Sequence, residues 1–453
     1  MNRDLEMARR LAASVQEAGG RAYFVGGYVR DAVLHRENKD IDIEIHGLTP
    51  ARLESILDSL GERTVMGASF GVYGLKHYDL DIAMPRSETK TGRGHRDFTV
   101  DVDPFLGTKK AAQRRDFTVN ALMQDVLTLE IVDHFGGLED LRQGVIRHVN
   151  DDTFIEDPLR VLRAAQFAAR FGFSIAPETM SLCAGMDLTA LASERIMEEM
   201  CKALLKARRP SVFFDILREM NQLHDWFPEV LSLIGVEQEA QFHPEGDVYT
   251  HTMLVLDQAA ELRGRAVYPL GLMLSALCHD FGKVQATSVI DGRIRALGHE
   301  NLGVPAAQAF ICRLSSEVRL KKYVLNMVKL HMRPNALCYM HSGHYAYMKL
   351  LDESVEPSDL LLLARADHCG RTGHENDYDE LEKTLSDALR RYQALMQQPF
   401  VRGEDLIRAG MKPGKAMGEA LAFAHRQRLR GVPKDQALRN TLAAAHQAAQ
   451  DEY

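Results

Sequence analysis

The chain has 453 residues, which suggests two to four domains at roughly 100–200 residues each. Apolar residues make up 45% and charged residues 26%, a profile that excludes disordered, collagenous and low-complexity proteins. The 55 Lys and Arg against 63 Asp and Glu give a net charge of −8, so a surface that is basic throughout is excluded, while a local basic strip is not. The N-terminus lacks an apolar signal segment, and no uncharged apolar stretch approaches the ~20 residues of a membrane span. We therefore expect a cytoplasmic protein without a membrane partner.

The hydrophobic pattern changes along the chain near residue 151. Residues 1–18 carry apolar side chains at helical spacing, and short strand-like segments follow at 22–25, 41–45, 72–75 and 78–83. Beyond residue 151, stretches with a 3.6-residue period extend to the C-terminus. This pattern predicts an α/β (α+β) head followed by an all-helical body.

A row of carboxylates alternates with isoleucines at residues 40–45. Asp40, Asp42 and Glu44 fall on one face of the predicted strand, about 7 Å apart. Three like charges in a row are unfavourable unless something positive neutralises them, and Mg²⁺ accepts one or two carboxylates together with phosphate oxygens. The alternative is an edge strand with a solvated acidic face.

Two further segments carry groups that bind phosphate. Gly26 and Gly27 follow a strand and precede a predicted helix with Arg30, where backbone N–H groups and the guanidinium can hold a triphosphate. The string Gln-Arg-Arg-Asp-Phe-Thr-Val-Asn-Ala at 113–121 supplies a second cluster. Its alternative interpretation is an arginine-rich helix start capped by Asp116.

These motifs occur in an order and spacing that resemble the class II tRNA nucleotidyltransferases, the CCA-adding enzymes and bacterial poly(A) polymerases. The similarity covers residues 20–210 and includes Glu-Asp-Pro-Leu-Arg-Val-Leu-Arg at 156–163. It implies a polymerase-β-like nucleotidyltransferase head in which two carboxylates hold Mg²⁺ for catalysis. The implied assignments are Asp40 and Asp42 for the metal, Gly26, Gly27 and Arg30 for the triphosphate, and Arg115, Asp116 and Asn120 for the ribose and phosphates. Asp81 is a candidate third carboxylate, for which we favour a structural role.

A third motif has the chemistry needed to select bases. On a helix, Asp157, Arg160 and Arg163 share one face. Cytosine and adenine both present an exocyclic amine where guanine and uracil present a carbonyl, so an accepting carboxylate beside a donating arginine matches the first two. The resemblance assigns this task to Asp157 and Arg160, with Arg163 close to the nucleotide. In the alternative, Asp157 is only an N-cap before Pro158.

The segment between the metal strand and the Arg-Arg-Asp element bears on nucleotide specificity. Family members that add only C lack part of this loop, whereas residues 85–114 form a full segment here. We therefore expect complete CCA addition. A-only and poly(A) addition stay open as alternatives.

The helical half contains a series of histidines and aspartates that are suited to divalent metals. The series and its surrounding strings resemble the HD phosphohydrolase domain fused to gammaproteobacterial-type CCA-adding enzymes. The resemblance implies a site for Ni²⁺, Co²⁺, Mn²⁺ or Mg²⁺ and substrates such as 2′,3′-cyclic phosphates, 2′-nucleotides or phosphomonoesters. The implied ligands are His251, His279, Asp280 and Asp367, with His299 and His331 completing a second metal site. The alternative is a degenerate domain retained for structure.

Together these features predict a two-activity enzyme acting on the tRNA 3′ end with CTP and ATP, as a monomer or homodimer, and not on DNA. The predicted domains are a nucleotidyltransferase head at 1–148, a helical neck that binds the nucleobase at 149–212, an HD domain at 213–395 and a helical tail at 396–453. Two rivals are a poly(A) polymerase or A-adding enzyme, and an HD hydrolase whose head only binds RNA.

Overall fold

A computed structural model describes residues 3–66, 72–90, 98–374 and 377–451. They form two compact units. The first extends to Trp226 without Arg208–Ser211, which join the second unit with the chain from Phe227 onward. Within the described ranges, no helix combines the length and the apolar character needed to cross a bilayer.

The first unit is mixed α/β. Its helices, including one 3₁₀ helix at Thr118–Asn120, are α1 (Arg3–Glu17), α2 (Gly27–Val33), α3 (Pro50–Leu60), α4 (Thr108–Gln113), α5 (Gly137–Gln143), α6 (Asp151–Phe154), α7 (Leu159–Phe171), α8 (Pro177–Ala184), α9 (Ser193–Lys206) and α10 (Ser211–Glu219). Its strands are β1 (Arg21–Val25), β2 (Ile41–His46), β3 (Arg63–Met66), β4 (Val72–Leu75), β5 (Leu80–Ala83), β6 (Arg86–Lys90), β7 (Phe98–Val102), β8 (Met123–Asp125), β9 (Ile131–Val132), β10 (Val145–Ile146) and β11 (Ser174–Ile175).

A seven-stranded sheet organises this unit, in the order β3-β4-β5-β2-β1-β8-β9. Strands β2 and β5 run parallel, with Asp42 paired to Asp81, whereas β1 pairs with β2 in antiparallel fashion. Helix α1 packs against β1 and β2, and its buried Leu11 and Val15 lie at the spacing that gives a helix one apolar face. The carboxylate strand is therefore central in the sheet.

The second unit is almost entirely helical. Its helices, including a 3₁₀ helix at Arg263–Arg265, are α11 (Pro228–Leu231), α12 (Val248–Leu262), α13 (Pro269–Cys278), α14 (Lys283–Ala286), α15 (His299–Leu314), α16 (Val318–Leu330), α17 (Arg333–Tyr339), α18 (His344–Glu353), α19 (Pro357–Cys369), α20 (Asp379–Gln397), α21 (Gly403–Arg408), α22 (Lys415–Leu429) and α23 (Lys434–Asp451). One antiparallel hairpin, β12 (Thr287–Ile290) with β13 (Arg293–Ala296), interrupts them. The buried apolar side chains of α12, α13 and α16 form a core against which α15 and α19 pack, and a second apolar cluster joins α18, α20 and α22.

The predicted fold class, an α/β head followed by a helical body, is confirmed. One local expectation is wrong: Asp157 is not on a helix, because α7 begins only at Leu159, after Pro158. Strands β6 and β7, which form their own two-stranded sheet, were not predicted. Residues 91–97 of the loop used to argue for complete CCA addition lie outside the described residues.

Candidate active sites

Three carboxylates lie near the N-terminal ends of β2 and β5, two neighbouring strands of the central sheet. Asp40 directly precedes β2, Asp42 lies within it, and Asp81 stands opposite Asp42 on β5. No residue in the described ranges donates a hydrogen bond to these three carboxylates or forms an ion pair with them. Burial raises the pKa of Asp42; the charge of Arg115 opposes this rise, while Asp81 and Asp40 add to it. Three unpaired carboxylates at one point fit a divalent cation, because its charge removes their mutual repulsion.

Asp81, for which we favoured a structural role, is exposed and has no hydrogen-bond partner among the described residues. Burial and the charges of Asp79 and Asp40 raise its pKa. The parallel register of β2 and β5, which the sequence pattern did not contain, places it beside Asp42.

Glu44, the third carboxylate of the predicted row, is neutralised by the protein itself. It is buried and accepts hydrogen bonds from His46 at 2.8 Å and from Arg115 at 3.4 Å. Burial alone would raise the pKa of Glu44, but these partners hold it below its usual value. The expected cation is thus needed only at Asp40 and Asp42, not at Glu44.

The Gly26-Gly27 turn lies next to the carboxylates. Gly26 has φ 66°, and a Cβ there would stand 3.2 Å from Nη1 of Arg115 and 3.5 Å from Oδ2 of Asp42. Glycine is therefore required both by the backbone conformation and by the close approach of these two side chains. The turn leaves space beside Arg115 and Asp42 that any larger residue would fill.

The predicted nucleotide-binding residues form one hydrogen-bonded chain. Arg30 donates to Asp31 and, at 2.7 Å, to Asn120, which in turn donates to Asp116 at 3.0 Å. Asp116 also accepts from Nε of Arg163 at 2.8 Å. Burial opposes ionisation of Asp116, but Arg163 and Asn120 hold its pKa below the usual value. The turn, the 3₁₀ helix and α7 are thereby fixed relative to one another.

The two residues predicted to read bases are already engaged with the protein. One oxygen of Asp157 accepts from the backbone N–H of Leu159 at 3.2 Å, and the other accepts from Arg195 at 2.9 Å. Arg160 donates to the backbone carbonyls of Thr153 and Arg114, at 2.6 and 2.9 Å. Asp157 thus makes the contact expected of a cap while its second oxygen faces an arginine.

A cavity of about 800 Å³ is lined by Asp40, Asp42 and most of the nucleotide-binding candidates, whereas Glu44 and Asp81 line a neighbouring pocket of about 270 Å³. Among the residues described, more cationic than acidic side chains line the larger cavity, so it attracts anions. Asp42 and the glycine turn lie on its wall, as do Asp157 and Arg160. The cavity further brings in Arg170, Lys202 and Lys206, to which the sequence motifs gave no role in nucleotide binding.

The second unit contains the other predicted cluster, and its four histidines are oriented in the same way. Nδ1 of His279, His299 and His331 each donates to a backbone carbonyl three residues earlier, at 2.7–2.8 Å. Nδ1 of His251 donates to Glu245 at 2.8 Å. Because each Nδ1 carries the proton, Nε2 of each neutral ring presents a lone pair, the form that binds metals. Burial and the charges of His279 and His299 lower the pKa of His331 to about 3, which keeps that ring neutral.

The donor atoms face one another at distances typical of metal ligands. Nε2 of His299 and Nε2 of His331 are 3.3 Å apart, and Nε2 of His251 is 3.2 Å from Oδ1 of Asp367. Donors around an ion at about 2.1 Å are separated by about 3.0–3.4 Å. When both rings of the His299–His331 pair are neutral and carry the proton on Nδ1, their facing Nε2 lone pairs repel unless a cation lies between them.

Asp280 connects two groups of donors. Its Oδ1 lies 3.2 Å from Nε2 of His299, and its Oδ2 lies 3.2 Å from Nε2 of His279. Nε2 of His279 is buried and has no hydrogen-bond partner within the described ranges, while Oδ2 of Asp280 also lies 2.7 Å from Nζ of Lys283. Donors of this kind fit one metal in the group His251, His279 and Asp367, and a second in the group Asp280, His299 and His331.

A neighbouring group, His368 with His374 and Asp377, is joined by shorter hydrogen bonds. Asp377 accepts from His368 at 2.6 Å and from His374 at 2.7 Å. Every facing pair thus has a proton between donor and acceptor, and these distances are those of hydrogen bonds. We infer that these hydrogen bonds hold the segment after α19 in place.

Sequence analysis missed three residues around the cluster. Glu245 accepts from both His243 and His251, Lys283 lies 2.7 Å from Asp280, and Arg371 lies 3.7 Å from Asp367. Their proximity to the ligands follows from local spacing for two of them, since Lys283 is three residues from Asp280 and Arg371 is four residues from Asp367. Gly282, between them, allows close packing, since a Cβ there would stand 2.0 Å from the carbonyl oxygen of His299.

Comparisons with known proteins agree with this geometry. Residues 22–147 match the family model of the poly A polymerase head domain, and residues 172–234 match that of the probable RNA and SrmB-binding site of polymerase A. The chain is 37% identical to a multifunctional CCA protein of Stenotrophomonas maltophilia over 418 residues, covering 89% of this chain and 98% of that one. It is 37% identical to a multifunctional CCA protein of Laribacter hongkongensis over 367 residues, covering 79% and 87%.

Solved structures share the fold at low sequence identity. A CCA-adding enzyme in an apo form superimposes with a TM-score of 0.68 at 21% identity, covering 97% of this chain and 95% of that one. The Thermotoga maritima CCA-adding enzyme complexed with tRNA gives 0.63 at 22% identity, with the same coverage. The chain therefore belongs to the family of multifunctional CCA proteins, within the CCA-adding enzymes and poly(A) polymerases.

Proposed function

We propose that the first unit adds C, C and A to tRNA 3′ ends from CTP and ATP without a template. The observation that carries this proposal is the set of three unpaired carboxylates, of which Asp40 and Asp42 line a cation-rich cavity and Asp81 stands beside Asp42 on the neighbouring strand. Membership of the family supports it, as do the structures of related enzymes with ATP and with CTP.

In this proposal the carboxylates hold Mg²⁺ and the arginines hold the phosphates. The chemistry that bound Mg²⁺ supplies is activation of the RNA 3′-hydroxyl and stabilisation of the pyrophosphate leaving group. Arg115, beside the glycine turn, is placed to bind a phosphate oxygen. The buried chain from Arg30 through Asn120 to Asp116 keeps the cavity wall rigid, so that the nucleotide is held in one orientation.

Base selection in this proposal rests on Asp157 and Arg160. Asp157 accepts from the exocyclic amine of cytosine or adenine and repels the carbonyl of guanine or uracil. Its present partner, Arg195, holds the carboxylate at the cavity wall with one oxygen fixed by Leu159. The cap and the base contact are therefore compatible, because they use different lone pairs.

The test is incubation of the full chain with tRNA lacking CCA, labelled CTP and ATP, and Mg²⁺. Stepwise addition of C, C and A that then stops supports the proposal. Long A tracts would identify a poly(A) polymerase, and addition of A alone to tRNA ending in CC would identify an A-adding enzyme. Absence of incorporation would leave an RNA-binding head.

We further propose that the second unit is a metal-dependent HD phosphohydrolase. The observation that carries this proposal is the pair of buried donor groups that Asp280 joins, in which Nε2 of His279 lacks a hydrogen-bond partner among the described residues. A bound divalent metal such as Ni²⁺, Co²⁺, Mn²⁺ or Mg²⁺ supplies a water of lowered pKa that can attack a phosphate ester. The chain's own contribution is to orient four Nε2 atoms and two carboxylates before any metal arrives.

The expected substrates are 2′,3′-cyclic phosphates, 2′-nucleotides and phosphomonoesters at RNA ends. Release of inorganic phosphate from 2′-AMP by the Ni²⁺-loaded chain, and its loss on chelation, tests the activity. A protein that binds the metal but releases no phosphate from any of these esters would show a structural domain. Within this proposal we assign residues 1–148 to the head, 149–212 to the neck, 213–395 to the HD domain and 396–453 to the tail.

A further inference from the structure

A pocket of about 260 Å³ opens beside the histidine cluster of the second unit. Asp280, Asp367 and His299 form one side of it, and Phe242 and Met332 contribute apolar surface. The positively charged residues that line it are Lys283, Arg295 and Arg371. Only two of these, Lys283 and Arg371, lie within 4.0 Å of a cluster carboxylate.

The two close cations differ in how far their hydrogen bonds are satisfied. Lys283 is buried, with Nζ 2.7 Å from Asp280 and 2.8 Å from the side-chain oxygen of Gln238. Arg371 reaches Asp367 only at 3.7 Å, beyond hydrogen-bond range. Its Nε is buried and finds no acceptor among the described residues. A buried guanidinium N–H without an acceptor is costly, which indicates a missing anionic partner.

The segment that carries Arg371 is held in place by the cluster itself. The backbone N–H of Thr372 donates to Glu245 at 3.3 Å, and the same carboxylate accepts from Nδ1 of His251 at 2.8 Å. Arg371 also lies four residues after Asp367. Burial would raise the pKa of Asp367, but the charge of Arg371 and the hydrogen bond from His251 hold this pKa well below its usual value. The guanidinium is therefore positioned relative to the metal ligands rather than free to turn away.

Charge balance points the same way. The side chains that line the pocket include four carboxylates, Glu237, Glu239, Asp280 and Asp367, and three cations, Lys283, Arg295 and Arg371. Binding of one or two divalent cations adds two or four positive charges, which turns the net charge of this lining from negative to positive. An anion with several oxygens restores the balance, and a phosphoryl group is the anion that hydrolysis of a phosphate ester requires.

We propose that Arg371 binds the phosphoryl group of the substrate ester through its guanidinium. This inference rests on the proposed phosphohydrolase function and deepens it, because it assigns a substrate-binding residue to that site. Arg371 is preferred over Lys283 because its fork matches two phosphoryl oxygens, while the ammonium of Lys283 is already bound on two sides.

The test compares phosphate affinity with metal content in the full chain. Inorganic phosphate is titrated calorimetrically into the Ni²⁺-loaded wild type and into Arg371→Gln and Arg371→Lys, and bound Ni²⁺ is counted by elemental analysis. The control is Arg293→Gln, which removes the same charge from an exposed position of hairpin β12–β13 that does not line the pocket.

We expect Arg371→Gln to bind phosphate about 10- to 100-fold more weakly than the wild type, with unchanged bound Ni²⁺. Arg371→Lys should fall between the two because it keeps the charge and loses the fork, and Arg293→Gln should match the wild type. KM for 2′-AMP should rise in the Arg371 variants more than kcat falls.

Two results would overturn the inference alone: Arg371→Gln that binds phosphate like the wild type, or a loss of phosphate affinity that follows a loss of Ni²⁺. In both cases a wild type that hydrolyses 2′-AMP leaves the phosphohydrolase function intact. A Ni²⁺-loaded wild type that neither binds phosphate nor hydrolyses the ester would overturn both.

Discussion

The two candidate metal sites arrange their donor atoms by different means. In the first unit, Asp42 and Asp81 meet through the register of two parallel strands; neither carboxylate is paired with another described residue, and Asp42 lines a large cavity. In the second unit, histidines are aligned by hydrogen bonds from Nδ1, and the donor atoms are enclosed within hydrogen-bonding distance of one another. An open carboxylate edge suits Mg²⁺ that keeps several other ligands, including substrate phosphates, whereas a closed imidazole cluster suits a resident transition metal.

The difference extends to the positive charges around each site. In the first unit, arginines near the carboxylates already have hydrogen-bond partners within the protein, such as Asp116 for Arg163. In the second unit, Arg371 has a buried donor without an acceptor in the described ranges. We infer that the first cavity orients its ligand through a rigid wall, while the second recruits its ligand to complete a contact.

Among the residues that sequence analysis did not assign to the site, Asp81 is expected to have the largest effect on kcat when substituted. Asp81→Asn should lower kcat for CTP incorporation by about 10²-fold or more, because a metal-facing carboxylate is worth several kcal/mol in the transition state. Asp79→Asn, at an exposed position of the preceding turn, is the matched control and should keep wild-type kcat. Equal kcat in the two variants would return Asp81 to a structural role and leave a two-carboxylate site.

The number of metals distinguishes the closed cluster from the open edge. In an Asp42→Ala background, which removes the head site, the chain should bind two equivalents of Ni²⁺, and His331→Gln should reduce this to one. Equilibrium dialysis with elemental analysis gives the count. His374→Gln, from the hydrogen-bonded group, should keep two equivalents. One equivalent in the His331-intact chain would refute the two-group arrangement.

A smaller effect is expected in base selection. Asp157→Ala should lower discrimination of CTP and ATP against UTP and GTP by about 10-fold or more, because one base contact is worth about 1–3 kcal/mol. Single-turnover incorporation of each nucleotide measures the ratio. Arg195→Gln, which frees Asp157 without removing it, should retain selection. An unchanged preference in Asp157→Ala with only a lower Tm would show that the residue is a cap.

The smallest effect concerns stability. The pKa of Asp42 is raised in the folded chain, so its charged form costs stability at neutral pH, and this cost disappears as pH falls toward the ordinary carboxyl value of about 3.9. Asp42→Asn should therefore raise Tm in EDTA at pH 7, with a gain that shrinks as pH falls.

Asp116 provides the opposite case for the same scanning calorimetry. Its pKa is lowered, so it stabilises the fold above the ordinary carboxyl value and loses this contribution as pH falls through and below it. Asp116→Asn should lower Tm at pH 7, by less at lower pH.

The two variants should therefore change Tm at pH 7 in opposite directions. A lower Tm for Asp42→Asn would contradict the unpaired state of the Asp42 carboxylate.

Local patterns predicted much of both sites. Period-2 alternation identified the carboxylate strand, and the order of short motifs identified the family of the first unit. The histidine series was also visible, since residues such as His279 and Asp280 are adjacent. These features depend on residues that lie close together in the sequence, so local sequence patterns are sufficient to predict them.

What the sequence did not contain depends on pairing over long separations. The partnership of Asp42 with Asp81 follows from strand order, and the neutralisation of Glu44 by Arg115 spans 71 residues. The orientation of Arg371 depends on Glu245, 126 residues earlier in the chain, through Thr372. A single sequence does not specify such contacts, because no local pattern distinguishes a charged residue that pairs with a distant one from a solvated residue.

The most direct measurement assays both activities in the same preparations of wild type, Asp42→Ala and Asp280→Ala. CTP and ATP incorporation into tRNA lacking CCA and phosphate release from 2′-AMP are followed side by side. The account predicts that Asp42→Ala loses incorporation by about 10³-fold or more and keeps phosphate release, while Asp280→Ala does the reverse. Incorporation that survives in Asp42→Ala would contradict the assignment of the carboxylate edge as the nucleotidyltransferase centre.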